Sequence, residues 1–342
     1  MTPIPTVTEL EADQGDRPSL PTAPFQTLTV EAHHAGARLD KFLVDRVPEL
    51  SRARVKAMIE GGQVRLDGRR ARKGDAVNVG QTVDLLAPPP PRDFDPIADA
   101  SITLSVLYED ADVIVVDKPS GMPTHPLQPS ELGTAANAII AKYPETAGVG
   151  FARREPGLLH RLDTDTSGVL VVARNQKAFD SLRNASHNAK VHKRYVALVE
   201  GSVPAEGRVD YPLVPHRKDP RRVESVTPHV RLRAGTRTFD AHTRYKPTRS
   251  IRTKDAMFTL VEVEVETAFR HQVRVHLATV GHPLYADTLY KGPPPIGNVR
   301  LDRHFLHASE VAFAHPSDGH IVTVKSPLPN DLSAALAALE KS

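Results

Sequence analysis

The sequence predicts an α+β protein in two units, a small one followed by a large one. Three observations carry this reading. The chain has 342 residues, 40% of them hydrophobic and 25% charged, enough for two cores. The run Pro88-Pro89-Pro90-Pro91, followed by Asp93, Asp95 and Pro96, is a semi-rigid spacer that marks a boundary. Beyond it, strand and helix patterns alternate without a strict βαβ rhythm, and no Rossmann or P-loop glycine pattern supports a nucleotide cofactor.

Residues 1–27 are rich in Pro, Thr and acidic groups and read as a disordered arm. The small unit covers 28–87. In it Leu39, Phe42, Leu43 and Val47 fall at helical spacing, and Pro48 stops that helix. Ser51 is an N-cap for a second helix carrying Val55, Met58 and Ile59, and Gly61-Gly62 ends it. Residues 63–68 alternate and close on Asp67-Gly68, a hairpin turn. Val77, Val79, Val83 and Leu85 suggest further short strands. Residues 88–103 read as a linker and 104–335 as the large unit. There the apolar run 169–173 reads as a buried strand, and the segments around 194–200 and 258–266 as further strands. Residues around 178–182 and the Ala/Leu-rich 332–339 read as helices.

Charge and residue counts narrow the chemistry. The net charge is only +3, but its distribution is uneven. Segment 52–73 holds Arg52, Arg54, Lys56, Arg65, Arg69, Arg70, Arg72 and Lys73 against Glu60 and Asp67. Segment 215–237 holds Arg217, Lys218, Arg221, Arg222, Arg231, Arg233 and Arg237 against Asp219 and Glu224. Such clusters suit a polyanion, although each is also what a solvated face looks like. With no cysteine, disulfides and thiol catalysis are excluded. Sixteen histidines show no H-E-x-x-H spacing, and His271 and His276, read on a strand, lie five apart on opposite faces, so no metal is expected. No 18-residue apolar stretch exists and the N-terminus lacks the order of a secretory signal, so the expectation is an intracellular protein, cytoplasmic if bacterial, with no membrane contact; no protein partner is implied and a monomer is the default.

The stretch most informative about function is His160-Arg161-Leu162-Asp163-Thr164-Asp165-Thr166-Ser167-Gly168, placed between Glu155-Pro156-Gly157 and the apolar strand. A carboxylate in a loop on the edge of a rigid core is a common way to build a reactive site. Ordinary turn chemistry accounts equally well for Asp and Thr before a strand. The stretch resembles the H-R-L-D-x-x-T-S-G motif of the RluA family of pseudouridine synthases at every fixed position. The resemblance continues through Leu107-Tyr108-Glu109-Asp110, Asp117-Lys118-Pro119-Ser120-Gly121 and His125-Pro126. It extends to Lys193-Arg194-Tyr195-Val196-Ala197, Arg270-His271-Gln272-Val273-Arg274-Val275-His276-Leu277, Gly281-His282-Pro283 and Leu306-His307-Ala308. Two positions depart from the family, where Phe269 and Ala286 stand in place of the usual Gly. Arg38-Leu39-Asp40-Lys41-Phe42-Leu43 with Ser51-Arg52-Ala53-Arg54 and 64–68 is similar to an S4 RNA-binding domain.

The resemblance implies a mixed, mostly antiparallel sheet in the large unit, uridine isomerisation in RNA, and no cofactor. It implies Asp163 as the essential carboxylate, acting covalently or as a base. Arg274 would pair with Asp163 through two parallel hydrogen bonds, and Tyr195 would lie against the base. His160 and Arg161 would fill the gap left by a flipped uridine. Arg38, Lys41, Ser51, Arg52, Arg54, Lys193 and Arg270 would contact RNA. Large-subunit ribosomal RNA is the expected substrate, with transfer RNA as the alternative. A competing reading is an RNA-binding assembly factor with a vestigial site. A metal- or Ser-dependent hydrolase lacks the G-x-S-x-G elbow and ligand spacing it needs.

Overall fold

The computed structural model describes residues 23–48, 50–72, 74–89, 93–233, 235–266 and 269–342. Most of the expected arm, Lys73 and part of the proline run lie outside these residues. The chain divides into two compact units, with the boundary between Arg92 and Asp93.

The first unit contains β1 (Gln26–Thr29), α1 (Leu39–Arg46), α2 (Arg52–Glu60), β2 (Val64–Leu66), β3 (Arg69–Arg70) and β4 (Thr82–Leu85). The strands form an antiparallel sheet in the order β1-β4-β2-β3. Leu39, Phe42, Leu43, Val55, Met58 and Ile59 pack onto Val64, Leu66, Val83 and Leu85, so the apolar faces read from the helical spacing form the core. Asp67 and Gly68 adopt φ 50° and 76° between β2 and β3, the left-handed pair that an Asp-Gly hairpin turn requires. β1 begins at Gln26, two residues inside the expected arm, because its register with β4 places Leu28 in the core opposite Val83.

The second unit continues with β5 (Ser105–Glu109), β6 (Val113–Lys118), α3 (Ala135–Lys142), β7 (Ser167–Ala173), α4 (Gln176–His187) and β8 (His192–Glu200). Then come β9 (Gly207–Val209), β10 (Leu213–Pro215), β11 (Val223–Ser225), β12 (Thr243–Arg252), β13 (Met257–Val265) and α5 (Gln272–Thr279). The chain ends with β14 (Leu306–Ala314), β15 (Ile321–Lys325) and α6 (Asn330–Leu339). Nine strands form one sheet in the order β5-β6-β7-β14-β8-β13-β12-β9, with β15 beside β14. Among the described residues only β7 and β14 run parallel, so the expected mixed, mostly antiparallel sheet is present. All of β7 is buried: Val169, Val171 and Ala173 enter one core, Leu170 and Val172 the other. That two-sided burial is why its sequence is an unbroken apolar run.

The segment expected as linker is not free from Asp93 onward. The Asp99 N–H donates to the Asn137 carbonyl (3.1 Å), Asn137 Nδ2 donates to the Ile97 carbonyl (2.7 Å), and Arg153 Nε donates to Asp95 (3.1 Å). These bonds strap residues 95–99 to α3 and to the loop at Arg153.

Residues 272–279 form a helix, not the strand their alternation suggests. Alternating Val-Arg-Val-His mimics a strand, but the helix is buried on nearly every side, so its surroundings override the period-2 pattern. His276 is consumed structurally, Nδ1 lying 2.9 Å from Thr243 Oγ1 and Nε2 2.9 Å from the Tyr211 carbonyl.

Gly168 closes the nonapeptide at φ 118°, opposite Ala308 on the parallel strand. A Cβ there would lie 2.1 Å from the Ala308 carbonyl oxygen. Gly168→Ala is expected to destabilise the protein by about 3 kcal/mol, measured by denaturant unfolding. A loss under about 1 kcal/mol would show that β14 yields without strain.

Candidate active site

The loop carrying Asp163 is clamped before it enters β7. Thr124 Oγ1 donates to the Leu162 carbonyl (2.7 Å) and accepts from the Leu162 N–H (3.1 Å). Lys118, fully buried at the end of β6, donates to the carbonyls of Pro119 (2.8 Å), Met122 (2.7 Å) and Thr164 (3.0 Å). Arg303 donates to the Asp165 carbonyl at 3.0 Å and is itself forked onto Asp331. Thr166 Oγ1 lies 2.8 Å from His304 Nε2. The lysine of the K-P-x-G loop therefore fixes the backbone beside the carboxylate, as preorganisation demands.

Arg274 reaches Asp163 from α5 with one N–H, Nη1 to Oδ2 at 3.0 Å. Its two parallel bonds go elsewhere, Nε to Asp287 Oδ2 (2.7 Å) and Nη2 to Asp287 Oδ1 (2.9 Å). The expected fork onto Asp163 is thus corrected. Asp287, itself buried, takes the fork, because its side chain faces the guanidinium edge while Asp163 meets only its tip. Burial pushes the Asp163 carboxyl up, but His271, Arg274 and His304 outweigh it and hold the group below its ordinary value. Burial brings both imidazoles down to about 4, so they carry charge only in the acid range where Asp163 itself titrates, and at neutral pH Arg274 is the cation beside it. Burial also works against the Arg274 charge, and Asp287 and Asp163 more than offset it.

Asp163 sits at the junction of two hollows. The narrow one, about 50 Å³, is lined by Arg161, Leu162, Tyr195, Phe269, His271 and Arg274 among others. The wide one, about 550 Å³, is lined by Arg221, Arg270, Asp287, Arg303 and His304. Tyr195 lies on β8 with its ring buried, and burial together with the Asp163 charge raises its phenol well above the ordinary value. His271 takes a left-handed φ of 57° at the start of α5, with Nε2 3.8 Å from Asp163 and Nδ1 2.9 Å from the Tyr290 hydroxyl. Among the described residues, His315, Asp318 and His320 converge at the β14–β15 turn, and none of them lines these hollows.

Of the residues expected at the site, Asp163, Arg274, Tyr195 and Arg161 share the narrow pocket, with Arg161 exposed. Arg270 lines the wide cavity and donates from Nη2 to the Pro220 carbonyl (2.7 Å), which brings the basic 215–237 segment to the rim. His160 is anchored, its Nε2 accepting from the Val171 N–H at 3.2 Å, and burial lowers it to about 3, so it is a fixed neutral ring. That leaves Arg161 as the side chain free to enter a stack. Lys193 does not face outward as an RNA contact would, since strand alternation puts it on the inward face with Tyr195, 3% exposed and with Nζ lacking a hydrogen-bond partner among the described residues. In the first unit Ser51 Oγ caps α2 by accepting from the Arg54 N–H (3.4 Å), and Arg38 forks onto Asp40 at 2.9 and 3.1 Å. Lys41 and Arg52 are exposed and Arg54 is half-buried, since a two-residue step turns them to different faces of the helix.

Lys193 makes a stability prediction. Burial lowers its amine to about 8, below the unfolded value. Between about pH 8 and 10.4 the unfolded chain holds a proton that the folded chain has lost, so stability rises with pH there. Lys193→Met should stabilise the fold near pH 7 by on the order of 3 kcal/mol, and the gain should vanish toward pH 10.4. A gain that does not change with pH would refute the buried-amine account.

Asp287, His271, Tyr290, His304, Arg303 and Lys118 were not singled out as site residues. For Asp287 the signal existed in the pair Ala286-Asp287, where Gly-Asp is usual. Ala286 has φ 62°, the left-handed backbone that explains the usual Gly and that turns Asp287 inward.

Among the described residues, no helix is long and apolar enough to cross a membrane. A family model described as RNA pseudouridylate synthase matches residues 112–279, and an S4 domain model matches 37–83. The chain is 37% identical to an uncharacterized RNA pseudouridine synthase of Chloroflexus aurantiacus over 92% of its own length and 94% of that protein. It is 34% identical to the ribosomal large subunit pseudouridine synthase D of Xanthomonas campestris pv. campestris over 90% of each chain. Human RNA Pseudouridylate Synthase Domain Containing 4 is similar in structure, with a TM-score of 0.51 and 25% identity over 69% of this chain and 92% of that one. With this coverage and with its motifs in order, the chain belongs to the RluA family of RNA pseudouridine synthases, which are isomerases, and carries an S4 domain ahead of the synthase domain.

Proposed function

We propose that this protein isomerises specific uridines to pseudouridine in large-subunit ribosomal RNA, with Asp163 as the catalytic carboxylate. The C1′–N1 bond breaks, the base turns, and a C1′–C5 bond forms. The proton on C5 leaves and N1 gains one, so nothing is oxidised and no group is imported. Asp163 supplies the carboxylate for the sugar or base, and Arg274 keeps it ionised and aimed. Tyr195 gives the extracted base a ring to stack on and a protonated hydroxyl. Arg161 fills the space the uridine leaves. In the first unit Lys41, Arg52 and Arg54 hold phosphates.

The observation that carries this reading is Asp163 bound by a single N–H of a buried, doubly anchored Arg274, beside buried Tyr195, at the mouth of an arginine-lined cavity. The ribosomal target rests on what the relatives are named for. Pseudouridine mapping on total RNA from cells lacking the gene tests it, with wild-type and Asp163→Ala copies restored. Loss of ribosomal sites that only the wild-type copy restores supports the assignment. Loss at transfer RNA sites would move the substrate. Persistence of every site alongside retained RNA binding would favour an assembly factor.

A further inference from the structure

A second hollow of about 690 Å³ opens beside the candidate active site. Its chemistry is aromatic and cationic together. Arg183 of α4 lies 3.3 Å above the ring of Phe151, which is 70% exposed and set edge-on to Phe179. Phe239 and Phe269 stack with centroids 4.4 Å apart, and Arg237 lies 5.0 Å from the Phe239 ring. Phe269 stands where the family usually has Gly, so this second stack belongs to this chain's own sequence. Of the acids lining the hollow, Glu155 is engaged with His125 at 3.2 Å. Arg183 Nη1 and His160 Nδ1 have no hydrogen-bond partner among the described residues.

The hollow is continuous with the site. Arg161 and Phe269 line both it and the narrow pocket with Asp163, and Arg270 lines both it and the wide cavity. We infer that this groove binds the unpaired RNA strand next to the target uridine, bases stacking on the Phe151 and Phe239–Phe269 platforms and phosphates meeting Arg161, Arg183 and Arg270. Aromatic faces alternating with guanidinium groups are how proteins hold single strands. Duplex RNA offers no free base faces and would gain only the phosphate contacts. The inference rests on the proposed RNA-modifying function.

The test uses the full chain with Phe151→Ser, Arg183→Gln and the double variant. Phe151 is exposed, so its replacement leaves the fold intact. The probes are a fluorescein-labelled unpaired ten-nucleotide RNA and a duplex of the same length. Expected for Phe151→Ser is a weakening of about tenfold or more for the unpaired RNA with little change for the duplex, for Arg183→Gln a smaller loss shared by the duplex, and for both a higher KM on ribosomal RNA fragments with kcat retained. Unchanged affinity and KM would overturn the groove while leaving the isomerase reading intact. Equal weakening for both probes by Phe151→Ser would reduce it to a general polyanion surface and overturn the single-strand claim. A wild-type protein that forms no pseudouridine would sink the functional reading instead, and the binding arm would still report on the groove.

Discussion

Asp163→Asn is expected to lower pseudouridine formation by at least about 10³-fold while RNA affinity stays near wild type and stability falls only by the modest share the carboxylate contributes. The amide has the shape of the carboxylate but neither its charge nor its basicity. Folding should tolerate the change because Arg274 keeps its fork on Asp287 and is not left as an unpaired buried charge. The wild-type carboxyl is held below its ordinary value, so it remains ionised across the neutral range. Its folded value lies under its unfolded one. The stability it contributes is therefore present above about pH 3.9 and lost as pH falls through the folded value, and the acid limb of activity should lie below about pH 4. Single-turnover rates on a ribosomal RNA fragment give the first quantity, and calorimetry and binding the others. A variant within about tenfold of wild type would remove Asp163 from the chemistry.

Asp287→Ala should act on stability and rate together. It deletes both parallel bonds and leaves an almost wholly buried guanidinium with one carboxylate hydrogen bond, to Asp163, besides its place over the Tyr290 ring. Breaking one side of such a pair costs about 3–5 kcal/mol. Freed from its fork, Arg274 can swing toward Asp163 and grip both oxygens, and a misplacement of this kind costs about 10²-fold in rate. Asp287 acts through Arg274, so it is a positioning residue. Its signature is a fall in kcat with KM nearly unchanged. The double variant Arg274→Met, Asp287→Leu separates the causes. If a stranded charge is what destabilises, the double variant should be more stable than Asp287→Ala alone. A single variant within about 1 kcal/mol of wild type would show that Asp163 alone holds the arginine.

The place of Asp163 was legible because the nonapeptide is one contiguous loop set directly before β7. Tyr195 was legible from its motif, and α1, α2, the Asp67-Gly68 turn and β7 from local spacing and turn residues. These features depend on neighbours in the chain. The partner of the Arg274 fork did not, since Asp287 lies thirteen residues away and reaches the guanidinium only because Ala286 takes a left-handed turn. Lys193 carried the composition of a phosphate contact, and the alternation of β8 turned it inward beside Tyr195. Residues 272–279 carried a strand pattern and became a helix because burial on nearly all sides removes the polar face by which an amphipathic period is recognised. The groove of Phe151, Arg183, Phe239 and Phe269 joins four segments, from the 151 loop to the start of α5. The sequence by itself determined the family, the candidate carboxylate's loop and the elements flanking it. The tertiary structure decided which charges are paired, which are buried and which surfaces meet, because hydrogen-bond partners and desolvation depend on distances in space that chain spacing does not encode.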